Sequence, residues 1–142
     1  MLLAAPRILF LCTHNSARSQ MAEGLVRSMT AGRVQAFSAG TESTIVRPLA
    51  IEAMAEDGID ISKHHSKTLD EFLRQPFDAV VTVCDDALEA CPVFAGAARQ
   101  IHWSLPDPSR ATGTREEQLA AFRAVRDTLR QRITDELLPA LG

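Results

Sequence analysis

Short, continuous apolar runs mark the strands of this sequence. Residues 7–11 (RILFL) and 79–84 (AVVTVC) contain few polar side chains, and the second run is rich in β-branched residues. Both are typical of parallel strands that are covered on their two faces. Residues 34–38 predict another short strand, which ends at Gly40, and residues 101–103 predict a weaker one. The pattern therefore predicts four short strands.

Helical spacing of apolar residues occurs in the stretches between these strands. In the first such stretch, Met21, Leu25 and Met29 recur four positions apart. Pro48 suits the first position of the next helix, and Gly58 suits the residue beyond its end. The predicted helices cover residues 16–29, 48–56, 66–73 and 114–138.

The last two predicted helices have recognisable start signals. Ser66 is the predicted cap of the short helix through residue 73. Thr114 and Glu117 form a capping box at the start of the long helix. The core-facing stripe of the long helix consists of Leu119, Phe122, Val125, Leu129, Ile133 and Leu137.

Strands that alternate with helices predict the fold class. We expect one α/β domain over residues 1–142, with a parallel sheet and helices on both of its faces. In such folds the ligand site lies at the carboxyl ends of the strands, near the point where the strand order switches. Cys12 and Cys84 each follow or end a predicted strand. Both cysteines are therefore expected at that edge of the sheet.

The composition is that of an ordinary globular protein. The chain has 142 residues, 46% apolar and 23% charged, and its net charge of −3 lacks the basic excess of a nucleic-acid-binding domain. No run approaches the roughly 18 apolar residues of a membrane-spanning helix, and Pro6 and Arg7 interrupt the apolar start before it resembles a signal peptide. We therefore expect a cytoplasmic protein whose three cysteines are core residues or reactive thiols.

The segment CTHNSARS, residues 12–19, lies between the first strand and the first helix. A loop in this position turns successive backbone N–H groups inward at the positive end of a helix dipole, and so binds anions. Cys12 is a candidate nucleophile whose thiolate such a loop would stabilise. Arg18 offers a planar pair of donors to a tetrahedral oxyanion. The predicted oxyanion loop beyond Cys12 consists of Thr13, His14, Asn15, Ser16, Ala17, Arg18 and Ser19.

An ordinary structural explanation competes with this one at each position. Cys12 would then be a small apolar residue at the end of a strand, and Arg18 would be a solvated helix residue. Ser19 would support the thiolate through its hydroxyl and Asn15 would fix the loop through its amide, although both also suit an ordinary turn. His14 receives no role beyond its place in the loop.

The segment CTHNSARSQMAEG resembles the phosphate-binding loop of the low-molecular-weight protein tyrosine phosphatases and of the arsenate reductases that share their fold. SAG at 38–40, DGIDIS at 57–62 and DP at 107–108 match the same superfamily in the same order, so the resemblance covers essentially the whole chain. It implies a three-layer sandwich whose four-stranded parallel sheet has the order 2-1-3-4. It also implies that Asp107, in LPDPS, is the general acid that protonates a departing oxygen.

Two further cysteines distinguish a reductase from a phosphatase. A phosphatase of this fold needs one cysteine and water, whereas a reductase must supply two electrons from its own thiols. Cys84 and Cys91, in VCDDALEACP, match the resolving cysteines of the thioredoxin-coupled arsenate reductases. The resemblance implies that Cys12 attacks arsenate, that Cys84 then attacks Cys12, and that Cys91 passes the disulfide on to thioredoxin.

The residues that support the oxyanion loop differ from those of some relatives. Members of this family that bind potassium use an asparagine, a glutamate, a serine and an aspartate. Asn15, Glu23 and Ser38 match the first three, but Lys67 stands at the position of the aspartate. We therefore expect no metal or other cofactor, with the Lys67 ammonium in place of potassium; the simpler alternative is a vacant site beside an exposed Lys67. Ser19 completes the predicted loop support.

Three functions remain open at this point. The leading one is a monomeric arsenate reductase with thioredoxin as electron donor, an arsenate or phosphate-like oxyanion as ligand, and no nucleic-acid or membrane partner; glutaredoxin or a small thiol is an alternative donor. The second is a phosphatase that hydrolyses phosphomonoesters through a Cys12 phosphoenzyme, with Cys84 and Cys91 idle. The third is an oxyanion- or redox-sensing protein without turnover. Arsenate-dependent turnover that requires all three cysteines would distinguish the first from the others.

Overall fold

The computed structural model describes residues 5–85, 94–95 and 97–141. Its strands are β1 (Arg7–Cys12), β2 (Gln35–Gly40), β3 (Ala79–Cys84) and β4 (Gln100–Ser104). Its helices are α1 (Arg18–Met29), α2 (Pro48–Glu56), α3 (Arg115–Arg132) and α4 (Leu138–Ala140). A π-helical turn (Ile133–Leu137) joins α3 to α4, and two 3₁₀ turns cover Leu69–Phe72 and Pro108–Arg110.

The four strands form one parallel sheet in the order β2-β1-β3-β4, as predicted. The two most apolar runs of the sequence are the central strands β1 and β3, which accounts for their lack of polar side chains. In the registers of the sheet, Cys12 lies opposite Gly40 and Cys84 lies opposite Ser104. The chain therefore leaves β1 and β3 at the same edge.

Helices α1, α2 and α3 cover one face of the sheet and bury the larger part of the core. The predicted stripe of α3 is buried along its whole length, and the capping box of Thr114 and Glu117 is present at its start. Trp103 packs beside Phe10, with ring centroids 6.4 Å apart. Burial of each large apolar side chain contributes roughly 1.5–3 kcal/mol, so this face carries most of the hydrophobic stabilisation.

A second core cluster lies on the opposite face of the sheet. Leu9, Leu11 and Val80 are buried there against the aromatic rings of Phe72 and Phe77. These two rings meet edge to face, with centroids 5.9 Å apart. Among the described residues, aromatic packing from the segment around the first 3₁₀ turn covers this side.

The predicted helix over residues 66–73 is wrong in extent and in its start. Only Leu69–Phe72 forms a 3₁₀ turn, and its cap position is Thr68, without a capping side-chain hydrogen bond. The hydroxyl of Ser66 instead donates to the carbonyl of His14, at 3.0 Å. A tertiary hydrogen bond has therefore replaced the local cap that the sequence favoured.

The predicted helix over residues 114–138 is interrupted by the π-helical turn at Ile133–Leu137, and the other elements differ from prediction only at their ends. Helix α1 begins at Arg18 rather than at residue 16, because the two residues before it belong to the oxyanion loop. Strand β2 continues to Gly40 because its ladder with β1 continues to the end of that strand. The weak fourth strand is present and spans Gln100–Ser104.

Ion pairs tie α3 to the end of α2. The buried Arg126 donates to the carbonyl of Ala53 at 2.7 Å and contacts Glu56 at 3.1 Å. Arg123 forms a two-pronged pair with the same carboxylate, at 2.9 and 2.6 Å. The hydrogen bonds from Arg123, reinforced by Arg126, lower the pKa of Glu56 to about 2. Glu56 is thus the shared acceptor that joins the two helices.

This arrangement makes part of the acid sensitivity of the protein depend on Glu56. The depressed folded-state pKa means that the stabilisation is fully present above the ordinary value of 4.5 and is lost as the pH falls toward about 2. We expect Glu56→Gln to lower the melting temperature at pH 6, with the difference from wild type shrinking at acid pH. Thermal unfolding between pH 6 and pH 2 measures this. Glu136→Gln, which removes one exposed pair with Arg132, is the control and should show little pH-dependent difference.

Candidate active site

The oxyanion loop, residues 12–19, passes directly over the end of β2. A Cβ atom on Gly40 would lie 2.6 Å from the carbonyl oxygen of Thr13 and 2.9 Å from the backbone nitrogen of Asn15. Real Cβ atoms essentially never approach this closely. Glycine at position 40 is therefore what allows the loop to take its path between β1 and α1.

The nucleophile candidate Cys12 is a free thiol and is almost fully buried, with 2% of its surface exposed. Its Sγ lies 2.8 Å from the hydroxyl of Ser19. The side-chain amide of Asn15 donates to the same hydroxyl oxygen, also at 2.8 Å. The Ser19 hydroxyl therefore accepts from Asn15 and is in hydrogen-bond contact with the sulfur. Ser19 thus links the side chain of Asn15 to the Cys12 sulfur.

Asn15 has a left-handed backbone, with φ of 49°, which is uncommon for a residue other than glycine. Its side-chain oxygen accepts from the side-chain amide of Gln20 at 2.9 Å and from the backbone N–H of Lys67 at 3.0 Å. Gln20 is fully buried and also donates to the carbonyl of His65 at 3.0 Å. These bonds hold the loop against the segment that contains Lys67.

Sequence reasoning missed the part that Gln20 plays in this network. Gln20 lies inside the segment CTHNSARSQMAEG. The spacing of apolar residues in this segment gives no reason to expect a fully buried polar side chain at this position. Its side-chain oxygen faces Nδ1 of His64 at 2.9 Å. Since the Gln20 nitrogen is the donor to Asn15, the oxygen must accept, and Nδ1 of His64 carries the hydrogen.

Arg18, the first residue of α1, connects the oxyanion loop to the candidate acid. Its side chain is buried and donates to the carbonyl of Leu105 at 3.1 Å. Its second terminal nitrogen lies 3.8 Å from the carboxylate of Asp107. The other carboxylate oxygen of Asp107 accepts from the backbone and hydroxyl of Ser109, at 3.0 and 2.6 Å. The structure therefore places the Asp107 carboxylate beside the loop and fixes its orientation.

The second cysteine ends the neighbouring strand. Cys84 is the last residue of β3 and is fully buried. It is disulfide-bonded, whereas Cys12 is not. Because β1 and β3 are adjacent and parallel, both sulfurs belong to the same edge of the sheet. The third predicted cysteine, Cys91, lies outside the described residues.

A buried carboxylate lies beneath the loop and collects several hydrogen-bond donors. Glu23 accepts from the hydroxyl of Ser38 at 2.8 Å and pairs with Arg27 at 3.1 Å. His64 and Lys67 approach the same carboxylate, at 3.4 and 3.9 Å. Burial lowers the pKa of Lys67 and of His64, and Glu23 opposes that shift in both. Glu23, Ser38 and Lys67, separate in sequence, thus form one cluster with their neighbours.

The remaining loop residues contribute mainly their backbone. Thr13, His14 and Ser16 turn their carbonyl groups outward, where each accepts a hydrogen bond from residues outside the loop. Ala17 is buried, and its carbonyl accepts the first hydrogen bond of α1, from Met21 at 2.8 Å. Donors outside the loop therefore hold it through its carbonyl groups, while the side chains of Cys12 and Arg18 are buried.

Two other kinds of site find no support in the part of the chain that the structure describes. Its histidine, cysteine, aspartate and glutamate side chains form no group of three that could hold a metal ion. Among the described helices, none is long and apolar enough to cross a membrane.

A cysteine and an arginine at the two ends of a strand-to-helix loop, with an aspartate held beside the arginine, define an enzyme class that attacks tetrahedral oxyanions through sulfur. The profile of the low molecular weight phosphotyrosine protein phosphatases matches residues 7–141. The chain belongs to this family.

Within the family, the chain is similar to proteins named arsenate reductase. It is 47% identical over 126 residues to one from Halalkalibacterium halodurans, which covers 89% of this chain and 91% of that protein. It is 43% identical to one from Bacillus subtilis, over 90% of this chain and 92% of that protein. A solved structure described as an arsenate reductase in the phosphate binding state superposes with a TM-score of 0.82 at 33% identity, over 96% of this chain and 99% of that one.

The close passage over Gly40 makes a direct prediction. Gly40→Ala should displace the loop and weaken the binding of inorganic phosphate by about 100-fold, since misplacement of a site by about 1 Å has effects of that size. Isothermal titration with phosphate measures the loss, and circular dichroism confirms that the variant is folded.

Gly24→Ala is the matched control for this substitution. The three nearest atoms to a Cβ there are side-chain methyl groups of Ile61, Met54 and Ile59, at 2.8, 3.2 and 3.4 Å, and none belongs to the backbone. It should bind phosphate as the wild type does. Unchanged phosphate binding by Gly40→Ala would show that the loop does not depend on this close approach.

Proposed function

We propose that this protein reduces arsenate to arsenite, with Cys12 as the nucleophile. The observation that carries the proposal is a free, buried Cys12 in an oxyanion loop, at the sheet edge where Cys84 is held in a disulfide. A hydrolytic phosphatase has no use for a second reactive sulfur at this position. Identities of 40–47% to proteins named arsenate reductase support the same assignment.

The first step is attack on arsenic within the oxyanion loop. Arsenate is bound by the backbone N–H groups of the loop and by the Arg18 guanidinium, which the loop and helix α1 hold in place. The Cys12 thiolate attacks arsenic while Asp107 gives its proton to the oxygen that leaves as water. The 3.8 Å approach of Arg18 to Asp107 supports the position of Asp107 in this step, because it holds the carboxyl group beside the guanidinium that would bind the oxyanion.

The second step transfers two electrons to arsenic. The Cys84 thiolate attacks the Cys12 sulfur, a disulfide forms, the sulfur–arsenic bond breaks, and arsenic keeps the electron pair and leaves as arsenite. Two thiols become one disulfide, which balances the reduction of arsenic from +5 to +3. Cys91 then attacks Cys84 and frees Cys12, and the thioredoxin dithiol reduces the Cys84–Cys91 bond. A disulfide-bonded Cys84 beside a free Cys12 is the state expected after Cys91 has freed Cys12 and before thioredoxin reduces the disulfide.

Phosphomonoester hydrolysis is the second candidate, and one observation favours it. The family profile that matches residues 7–141 is that of phosphotyrosine phosphatases. The same loop, nucleophile and acid would serve that reaction, with water in place of Cys84. Weak hydrolysis of an aryl phosphate is therefore compatible with reductase function.

The decisive experiment is arsenate-dependent oxidation of NADPH in the presence of thioredoxin and thioredoxin reductase. We expect Cys12→Ser, Cys84→Ser and Cys91→Ser each to abolish turnover, because each removes one member of the sulfur relay. Hydrolysis of p-nitrophenyl phosphate provides the matched control. This hydrolysis should be lost in Cys12→Ser and retained in the other two variants. Its retention would show that the oxyanion loop is intact in Cys84→Ser and Cys91→Ser.

Two outcomes would contradict parts of this proposal. Full arsenate turnover in the Cys84→Ser variant would exclude the relay. Turnover in Cys91→Ser that needs only glutathione or another small thiol would replace thioredoxin by that donor.

We also propose that the Lys67 ammonium takes the place of the potassium ion that some relatives bind beneath this loop. Its Nζ lies 3.9 Å from Glu23 and donates to the carbonyl of His65 at 3.2 Å. Its side chain is 12% exposed. A second cation would have to share the Glu23 carboxylate with Lys67, so the residues present fit an ammonium better than potassium.

Salt dependence tests this second proposal. Arsenate turnover of the wild type should be the same in potassium chloride and in sodium chloride at equal ionic strength. Lys67→Asp should lower turnover in sodium chloride and recover at least part of it in potassium chloride. A marked preference of the wild type for potassium would contradict the proposal, and Lys63→Asp, which changes a lysine outside the Glu23 cluster, controls for net charge.

A further inference from the structure

A surface segment between β2 and α2 holds the oxyanion loop from outside. This segment, residues 41–47, is here called the strap; it has no regular secondary structure, and most of its residues are exposed. The carbonyl groups of three loop residues accept hydrogen bonds from it. Neither the sequence motif nor the proposed chemistry accounts for these contacts.

Two of the three carbonyls are held by backbone donors. The carbonyl of Thr13 accepts from the N–H groups of Thr41 and Glu42, at 2.9 and 3.1 Å, and additionally from the Thr41 hydroxyl at 3.1 Å. The carbonyl of Ser16 accepts from the N–H of Arg47 at 2.9 Å. Because the N–H donors belong to the main chain, a side-chain substitution in the strap leaves them in place.

The third carbonyl depends on hydroxyl groups. The carbonyl of His14 accepts from the Thr44 hydroxyl at 3.1 Å and from the Ser66 hydroxyl at 3.0 Å. The Ser66 oxygen also accepts from the backbone N–H of Thr44 at 2.8 Å, which fixes the two side chains relative to each other. Substitution of Thr44 and Ser66 can therefore remove the hydrogen bonds from these two hydroxyls to the His14 carbonyl.

The orientation of this carbonyl determines the orientation of an N–H group in the loop. A peptide unit is planar and trans, so its C=O and N–H point in opposite directions. The His14 carbonyl points to the strap and to Ser66, and the N–H of Asn15 in the same peptide unit consequently points away from them. Asn15 is also the loop residue with a left-handed backbone, so its conformation needs support from its surroundings.

We propose that Thr44 and Ser66 are positioning residues for the oxyanion, which lock the His14–Asn15 peptide unit with its N–H directed into the loop. Asn15 is then clamped from two sides. Its preceding carbonyl is held by the two hydroxyls, and its side chain is held by Gln20 and by the backbone of Lys67. Ser66 and Lys67 are consecutive, so one short segment reaches both sides of the clamp.

The inference deepens the proposed function, because the same loop would bind arsenate, but its test does not require arsenate reduction. Inorganic phosphate serves as the probe, and its affinity is measured by isothermal titration. We expect Thr44→Val and Ser66→Ala each to weaken phosphate binding about fivefold, and the double variant at least about tenfold, the range for loss of one and two hydrogen bonds. The KM for arsenate should rise in parallel, while the KM for thioredoxin stays unchanged.

Two further variants separate positioning from a general effect on folding. Ser43→Ala removes a neighbouring strap hydroxyl that donates to the Ser66 carbonyl and not to the loop, and it should bind phosphate as the wild type does. Thr44→Ser keeps the hydroxyl, so it should retain the phosphate affinity that Thr44→Val loses. The two variants should have the same melting temperature.

The outcomes are distinct for the two proposals. Phosphate affinity of the double variant within twofold of wild type would overturn the role of Thr44 and Ser66, whatever the enzyme does with arsenate. If the double variant does not fold, equal phosphate affinity of Thr44→Val and Thr44→Ser would overturn it instead. Failure of the wild type to reduce arsenate, with the expected losses of phosphate binding, would refute only the proposed reaction.

Discussion

The whole site depends on how closely the main chain of the oxyanion loop approaches the end of β2. Gly40 has no room for a Cβ atom beneath Thr13 and Asn15. That contact sets the height of the loop above the sheet, and Asn15 completes the turn in a left-handed conformation. An anion-binding loop works through the directions of its N–H groups, so a shift of the main chain would affect binding more than the loss of most side chains.

Hydrogen bonds from three separate segments then hold the loop in that place. The strap binds its carbonyls, the segment around Ser66 and Lys67 binds His14 and Asn15, and Gln20 of helix α1 binds Asn15 from below. A loop that is supported on all sides presents its donors before the ligand arrives. Such preorganisation avoids reordering the loop when the oxyanion binds.

The charges of the protein fall into two groups with different consequences. Apart from the buried Arg126, the pairs between α2 and α3 are exposed or half-buried, and exposed pairs contribute at most about 1 kcal/mol each. Glu23 is buried with Lys67, His64 and Arg27 around it, and removal of one partner from a buried charge typically costs about 3–5 kcal/mol. The buried group lies beneath the oxyanion loop. Electrostatic sensitivity is therefore concentrated at the site.

Cysteine placement explains why one fold can serve two chemistries. The loop, Arg18 and Asp107 suit attack on any tetrahedral oxyanion. In the proposed reaction, the fate of the covalent intermediate would depend on whether water or a second thiolate reaches it. Cys84, at the end of the strand next to Cys12, puts the second sulfur at the edge of the sheet that carries the oxyanion loop. The adjacent parallel strands thus supply both sulfurs without any change to the loop.

Local patterns in the sequence were sufficient for most of the architecture. The apolar runs, the capping box at Thr114 and the α3 stripe reflect neighbours within one strand or one turn of helix, and all of them are present. The resemblance of the loop segment supplied the strand order. The placement of Cys12 after one strand and Cys84 at the end of another also came from the sequence, because parallel strands end at a common edge.

Only the tertiary structure decided which partners the polar residues of the site would take. Ser66 has the local pattern of a helix cap, but its hydroxyl binds a carbonyl 52 positions away. Gln20 is buried because Asn15, His64 and His65 satisfy its amide together. Periodicity reports relations between residues a few positions apart. The direction of a loop carbonyl depends on donors that folding brings from distant segments, so the sequence determined the reactive groups and the tertiary contacts determined their orientation.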